Sequence, residues 1–513
     1  MSNGHERYPL VTTPAAILHA LRWNAMVRTT GQLGTWLITI FVMRLLSPVD
    51  YGLMGLATIL LGFFGLINEL GAIPAIIQRQ QVEQSLIRKV FGLVLVSNAS
   101  LYVAAFAGAP YFAALFGEAY PLATVIRVLA LSLLIGALSA VPNALLQREL
   151  KFKTISLIDF AATLVGAVAT LMLAIEGRGV WSLVFGSLIK EAGNAVGLMA
   201  VTRFRVAPLL DFTGLRTVLA FGMKISGARI VWYFNSSFDG LLIGKILGEG
   251  ALGLYSVANT LAYLPASKVL GLSNQIAFAA YSRLQDDRVR VRQYFLEGAS
   301  IASFVFFPLC WGMSAVADDF VDVVLGPTWH KAAIVLQIIA LGVPYRALGL
   351  FMQPLVDGLG QPGIGLKNTL TISLIVPAAA VAGLYFARYI AQPPADPDVW
   401  GLIGLCVGSV AGVVVAVTIN LRRNLALLDA GYRQLLSAFF PSMLAAGIMY
   451  AAVLGANAML AEATPVLWRL PTVVVFGAFI YGVVTVSINR QPATRCLQLI
   501  KASLPSRRGR RPR

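Results

Sequence analysis

The sequence predicts an all-α integral membrane protein of 14 transmembrane helices: two parallel six-helix repeats followed by two extra C-terminal helices. Three observations carry this. Of 513 residues, 58% are apolar and only 12% charged, about half the charged share of a soluble chain, and the mean hydropathy is +0.77. Apolar runs of about 20 residues, each long enough to cross a bilayer, recur along the whole chain. Finally, short stretches of the first half reappear 201 to 214 residues later.

Backbone in lipid must satisfy its own hydrogen bonds, so the long runs read as helices. The alternating pattern of a membrane β-barrel is absent. The spans are expected at 24–46, 52–78, 90–113, 121–146, 155–175, 180–201, 219–247, 251–279, 295–316, 332–356, 366–387, 400–421, 434–456 and 466–487. Residues 1–23 form a cytoplasmic N-terminal segment in which Pro14–Trp23 lies at the membrane surface. No secretory signal pattern is read there, so the first apolar run is expected to be retained. A first bundle covers 24–201, a cytoplasmic linker 202–218, and a second bundle 219–421. An extra helix pair covers 434–487, and a basic cytoplasmic tail 488–513.

Charge orients the spans. With the N-terminus inside, inner segments hold most of the 40 Lys and Arg, including Arg88, Lys89, Arg203, Arg205, Arg290, Arg292, Arg422 and the RRGRRPR tail. Outer ends hold few cations (Arg44, Arg178, Lys245, Lys331, Arg388, Arg469) and several acids, among them Asp318, Asp319, Asp322, Asp396 and Asp398. This asymmetry places both termini in the cytoplasm. It also accounts for the net charge of +17 without a nucleic-acid partner, and the tail is suited to anionic membrane lipid.

The repeat is clearest at MRLLSPVDYGLMGLA (43–57) and GKILGEGALGLYSVA (244–258). Arg44 falls on Lys245, Gly52 on Gly253 and Ala57 on Ala258. FGEAYPLATVIRVLAL (116–131) aligns with LGPTWHKAAIVLQIIAL (325–341), and ALLQRELKFK (144–153) with GLGQPGIGLK (358–367). Six spans per copy is an even number, so both copies enter from the same side and the repeat is parallel. Two such bundles enclose a cleft that rocking exposes to either side, so alternating access is expected.

Charges deep in a bilayer are costly and usually face a wet cavity. The deep cations are Arg28, Arg127, Lys190, Lys224, Arg229, Lys268 and Arg346; the deep acids are Glu69, Glu191, Asp239 and Asp357. Arg28, Gln32, Thr35 and Thr39 share one helical face, as do Arg229, Tyr233, Ser236 and Asp239. The 201-residue offset superposes Arg28 on Arg229, and guanidinium groups offer fixed paired donors that suit phosphate. The substrate-binding candidates are therefore Arg28, Gln32, Arg229, Tyr233, Lys224 and Arg346. The alternative is private pairing, for instance Arg229 with Asp239, or snorkelling. Glu69 and Asp239 either bind a coupling proton or cation or balance the arginines.

Other patterns carry no chemistry. GLGQPG (358–363) fits G-x-G-x-x-G but follows an apolar helix rather than a strand, so it is not a dinucleotide site. GLLIGK (240–245) lacks the length and the Ser/Thr of a phosphate-binding loop. Cys310, Cys406 and Cys496 show no metal or disulfide spacing and read as small packed thiols. No metal, cofactor or enzymatic site is expected.

MRLLSPVDYGLMGLA, LINELGAIPAIIQRQ (66–80), ALLQRELKFK and LGPTWHKAA (325–333) together resemble the Wzx-type polysaccharide flippases. These belong to the multidrug/oligosaccharidyl-lipid/polysaccharide exporter superfamily, and the likeness is greatest to the colanic acid and exopolysaccharide branch. The resemblance implies a V-shaped pair of bundles. It also implies a polyprenyl-diphosphate-linked oligosaccharide as cargo, carried to the periplasmic leaflet for exopolysaccharide or lipopolysaccharide synthesis. Polymerase and chain-length or export machinery would be its partners. Transport is expected to run on membrane potential, a proton or sodium gradient, or both. Two other classes stay open: a multidrug cation exporter on the same scaffold, and a polyprenyl-linked polymerase or glycosyltransferase. The first would need a mainly acidic cavity, the second a long catalytic outer loop that is absent here.

Overall fold

The protein is described from a computed structural model, covering residues 34–68, 76–77, 83–117, 120–211, 233–390, 396–460, 464–488 and 494. Among the described residues the regular structure is helical, with no strand. Eleven helices are long and apolar enough to cross a membrane.

The helices follow the hydropathy closely. They are α1 (Gly34–Leu45), α2 (Pro48–Asn68), α3 (Gln84–Ala114), α4 (Tyr120–Leu129), α5 (Leu131–Arg148), α6 (Phe152–Ile175) and α7 (Val180–Thr202). Then come α8 (233–246), α9 (Gly248–Leu284), α10 (Arg288–Ala315), α11 (Ala317–Val324), α12 (His330–Gly358), α13 (Pro362–Tyr385), α14 (Pro397–Leu427), α15 (Tyr432–Leu460) and α16 (Val466–Ile488). Among the described residues, helix overlaps the expected spans, with parts of the first, second and seventh lying outside those residues. The fourth span is the pair α4–α5, and α11 is a short extra helix in the connection before α12. Large apolar side chains such as Val475 and Phe479 on α16 and Leu374 on α13 stay exposed, as lipid-facing positions do.

Two compact units partition the chain. One takes in Met1–Leu46, Leu60–Ala114 and Glu118–Arg229; the other takes in Ser47–Ile59, Leu115–Gly117 and Ile230–Arg513. In the first unit, Val90, Phe91 and Val94 of α3 pack on Ala137, Val141 and Ala144 of α5 and on Phe204. The segment after α7 lies along the start of α3: Arg88 Nε donates to the Ala207 carbonyl at 3.1 Å, and Lys89 pairs with Asp211 at 2.7 Å.

In the second unit, α9 packs on α12, α12 on α14, α13 on α14, and α10 on α15. One core gathers Tyr281, Phe295, Met352 and Leu355; another gathers Phe307, Ala446, Met449 and Tyr481. Polar groups pin the ends. Lys245 Nζ donates to the carbonyl of Leu115, just past α3. Arg388 donates to the Ile246 carbonyl at the end of α8, at 2.8 Å, and pairs with Asp398 at 3.2 Å. Arg469 of α16 is nearly buried in an ion pair with Asp319 of α11, their side chains 13% and 5% exposed.

The SPVD turn has a physical cause. Ser47 Oγ donates to Asp50 Oδ2 at 2.7 Å, the Ser47 amide donates to the same oxygen at 2.9 Å, and the Asp50 amide points back at Ser47 Oγ at 3.3 Å. This is a capping box, with Pro48 at the first helical position, where its missing N–H costs nothing. The turn brings the start of α2 against the start of α9. A Cβ on Gly52 would lie 1.8 Å from the Glu249 carbonyl oxygen, and one on Gly253 would lie 1.7 Å from that of Pro48. The 201-residue offset carries Pro48 to Glu249 and Gly52 to Gly253, so the two contacts are reciprocal. Only glycine allows backbones this close. Tyr51 then meets the fully buried Trp329 edge-on, ring centroids 5.5 Å apart, joining two of the motifs quoted above.

Candidate functional site

Of the sequence-selected residues, Arg28, Gln32, Glu69, Lys224 and Arg229 lie outside the described residues. Tyr233, Asp239 and Arg346 are described, and the second unit gathers them. Tyr233, on α8, donates its hydroxyl to the Ile59 carbonyl at 2.8 Å. That fixes α8 to the first half of α2. The same helix then carries Asp239 six residues on.

Asp239 of α8 and Arg346 of α12 each meet a tyrosine of α9. Tyr255 of α9 donates to Asp239 Oδ2 at 3.1 Å. The Arg346 guanidinium lies over the ring of Tyr263, 5.5 Å from its centroid. Tyr255 and Tyr263 are eight residues apart on α9, about two turns along it and about 80° around it. All four polar side chains are half-buried.

Among the described residues Arg346 forms no ion pair. A guanidinium has five N–H donors and no acceptor. A guanidinium over an aromatic face can still present donors to a planar or tetrahedral anion. Asp239, on α8, offers acceptor oxygens, one of them taking the Tyr255 hydrogen bond. The arrangement can hold an anion on one side and a proton or compensating cation on the other.

The remaining deep charges fall elsewhere. Arg127 lies over Phe106 at 4.9 Å and donates to the Phe106 carbonyl at 3.3 Å, both in the first unit. Lys190 and Glu191 are half-buried on α7, where the stem of Lys190 packs against Gly166. Asp357 accepts from Gln353 on its own helix at 3.0 Å and is exposed. Sequence reading passed over Tyr255 and Tyr263, because a tyrosine in an apolar run reads as core; two of them eight residues apart were the available signal. It also passed over a buried amide cluster joining α13 to α14. There Asn368 donates to Asn424 Oδ1 at 3.1 Å, and Arg423 donates to Thr371 Oγ1 at 2.6 Å. Every partner in that cluster lies within the helix pair or on α12, so it reads as a structural clasp.

Comparison with known proteins gives a consistent picture. The family described as polysaccharide biosynthesis protein matches residues 41–334, more than half of the chain. The chain is 25% identical over 369 residues to the lipopolysaccharide biosynthesis protein WzxC of Escherichia coli K12, covering 71% of this chain and 74% of that one. It is 27% identical over 346 residues to the succinoglycan biosynthesis transport protein ExoT of Rhizobium meliloti, covering 67% and 69%. Among solved structures it superposes on the lipid II flippase MurJ in an inward closed conformation, with TM-score 0.70 and 13% identity, covering 91% of this chain and 99% of that one. An inward-facing multidrug MATE transporter of the MOP superfamily gives TM-score 0.59 and 16% identity over 77% and 96%. The apolar helices and these relatives make the chain a multi-pass membrane protein with a MOP-type fold.

Proposed function

We propose that this chain, which belongs to the polysaccharide biosynthesis protein family, is a flippase for polyprenyl-diphosphate-linked oligosaccharide repeat units. It moves them from the cytoplasmic to the periplasmic leaflet of the bacterial inner membrane, and both its termini are cytoplasmic. The carrying observation is Arg346, a deep guanidinium laid over Tyr263 with no ion pair among the described residues, in a chain whose relatives are named for polysaccharide synthesis and transport. In this reading Arg28 and Arg229 grip the diphosphate with Arg346, Lys224 guides it in, and Gln32 and Tyr233 contact the sugar. The two six-helix bundles at 24–201 and 219–421 alternate access, with the pair at 434–487 packed alongside.

Energetics favour export. Moving two negative charges out of a cell that is negative inside gains about 4–5 kcal/mol per 100 mV, from about 2.3 kcal/mol per charge. Glu69 or Asp239 adds a coupling proton or cation, or only balances charge. The test is flipping of a lipid-linked oligosaccharide in vesicles holding the purified protein, under an imposed potential without an ion gradient. Transport is expected in the wild type and lost in Arg28→Ala, Arg229→Ala and Arg346→Ala. Normal transport by all three variants overturns the site. Export of an organic cation instead of the lipid would move the protein to the multidrug class.

A further inference from the structure

We propose that the second unit holds an anionic phospholipid at the turn joining α14 to α15, its phosphate on Arg292 and Arg422 and one acyl chain in an apolar slot beside them. α15 packs on α10 and on α16 but hardly touches α14. Between α10, α12, α14 and α15 the side chains leave a slot, walled by Phe295, Phe351, Val417, Leu421, Leu435 and Phe439 among others. Thr418, also on its wall, is exposed, so the slot is open along α14. An apolar slot holds water poorly. In a membrane a hydrocarbon chain fills it, since an empty slot forfeits dispersion contacts on every wall.

Charge at one end of the slot selects the kind of chain. Arg288, Arg292, Phe295 and Ala299 lie within about 60° of one another around α10. Phe295 and Ala299 wall the slot, and the two arginines carry the same face on to the start of the helix. Arg292 donates to the Asp429 carbonyl at 3.1 Å, and Arg288 pairs with the Asp429 carboxylate at 3.6 Å. Asp429 lies in the turn between α14 and α15, in the left-handed conformation at φ 49°. The start of α10 is thus fastened to the turn that ends the slot. From α14, Arg422 stands one turn beyond Thr418 and about 40° around from it, and it is exposed. A guanidinium has five N–H donors, so Arg292 can hold the turn and still meet a phosphate oxygen.

Dimensions and charge together name the occupant. The walls run from Tyr345 to Met352 on α12 and from Val414 to Leu421 on α14, a rise of roughly 11 Å on each helix. That length takes a stretch of one acyl chain and only a small part of a polyprenyl tail. A phosphodiester headgroup brings one negative charge, which guanidiniums at the membrane surface match. In the orientation proposed above, this end of the slot faces the cytoplasm. Seated there, the lipid supplies the contact that α15 lacks with α14, and so ties the extra helix pair to the second bundle. This role does not depend on what the protein carries.

The experiment is native mass spectrometry of the purified full-length protein in detergent, titrated with dioleoyl phosphatidylglycerol or dioleoyl phosphatidylcholine. These share their chains and differ in head charge. Wild type is expected to hold one phosphatidylglycerol about tenfold more tightly than phosphatidylcholine, the order that two cations near the surface give an anionic lipid. Arg292→Gln combined with Arg422→Gln should erase that preference. Arg283→Gln combined with Arg290→Gln removes as many charges away from the slot, since Arg290 points to the opposite side of α10 and pairs with Asp287; it should keep the preference. Thr418→Trp blocks the opening and should lose phosphatidylglycerol with both arginines in place. The two arginine pairs decide the matter even if Thr418→Trp does not fold. If the Arg292 and Arg422 pair binds phosphatidylglycerol like wild type, or the control pair loses as much, binding is diffuse attraction to a basic chain and the inference falls. If equimolar undecaprenyl phosphate displaces the phosphatidylglycerol, the slot belongs to a polyprenyl tail and the inference falls as well.

Discussion

Replacing Gly253 by alanine tests how closely the starts of α2 and α9 are pressed together. The added Cβ would lie 1.7 Å from the carbonyl oxygen of Pro48, 2.5 Å from its carbonyl carbon and 3.0 Å from its Cα. Close carbon–oxygen contacts lie at about 3.3 Å or more, so the two backbones must part by about 1.6 Å. No rotamer change relieves this, because the obstacle is main chain in a capped first turn. Overpacking typically costs about 1–3 kcal/mol, and a contact with backbone on both sides belongs at the upper end. Alanine recovers about 1 kcal/mol of helix propensity over glycine, leaving a net loss of about 2 kcal/mol. Gly455 on α15 is the control, since a Cβ there meets nothing within 4 Å. Thermal unfolding of the purified full-length protein in detergent should show Gly253→Ala melting clearly below wild type, and Gly455→Ala at or above it. Gly52→Ala should behave like Gly253→Ala. The pair should lose less than the sum, because one displacement relieves both clashes. If Gly253→Ala melts with the wild type, the close crossing is wrong.

Two further outcomes concern the ends of the helices. Arg469→Gln strips the partner from Asp319, whose side chain is 5% exposed, and should destabilise the protein by about 3–5 kcal/mol in the same melting assay. Replacing both residues with apolar ones of similar size should recover most of that loss. Asp396 caps α14 through the amides of Asp398 and Val399 and sits 2.9 Å from Lys331. The Lys331 hydrogen bond, ahead of the cap amides, holds its carboxyl below the usual carboxylate range. Its contribution is thus present above the unfolded carboxylate value of about 4 and is lost as pH falls through the lower folded value. Melting temperature measured from pH 6 to pH 3 should fall less steeply for Asp396→Asn than for wild type.

Some of this was legible in the residues alone. Hydropathy located the helices because burial in lipid is a property of each segment taken by itself. It set the second span to begin at 52, whereas the helix starts at Pro48, because Ser47 and Asp50 cap it locally. The 201-residue offset singled out Gly52 and Gly253 before any contact between them was visible. Deep charge singled out Asp239 and Arg346, but not that Tyr255 and Tyr263 of one helix stand beside them. Asp319 and Arg469, 150 residues apart, looked like unrelated outer-end charges.

The sequence by itself determined the membrane class, the helical character of its apolar runs, the glycine pair and which charges fall within those runs. Tertiary structure decided which of those charges meet, and through which aromatic partners. The difference is physical. Partition into lipid and helix capping depend on residues a few positions apart. Whether a carboxylate faces a guanidinium depends on the rotation and crossing of several helices at once, and that is set by packing contacts distributed along their whole length.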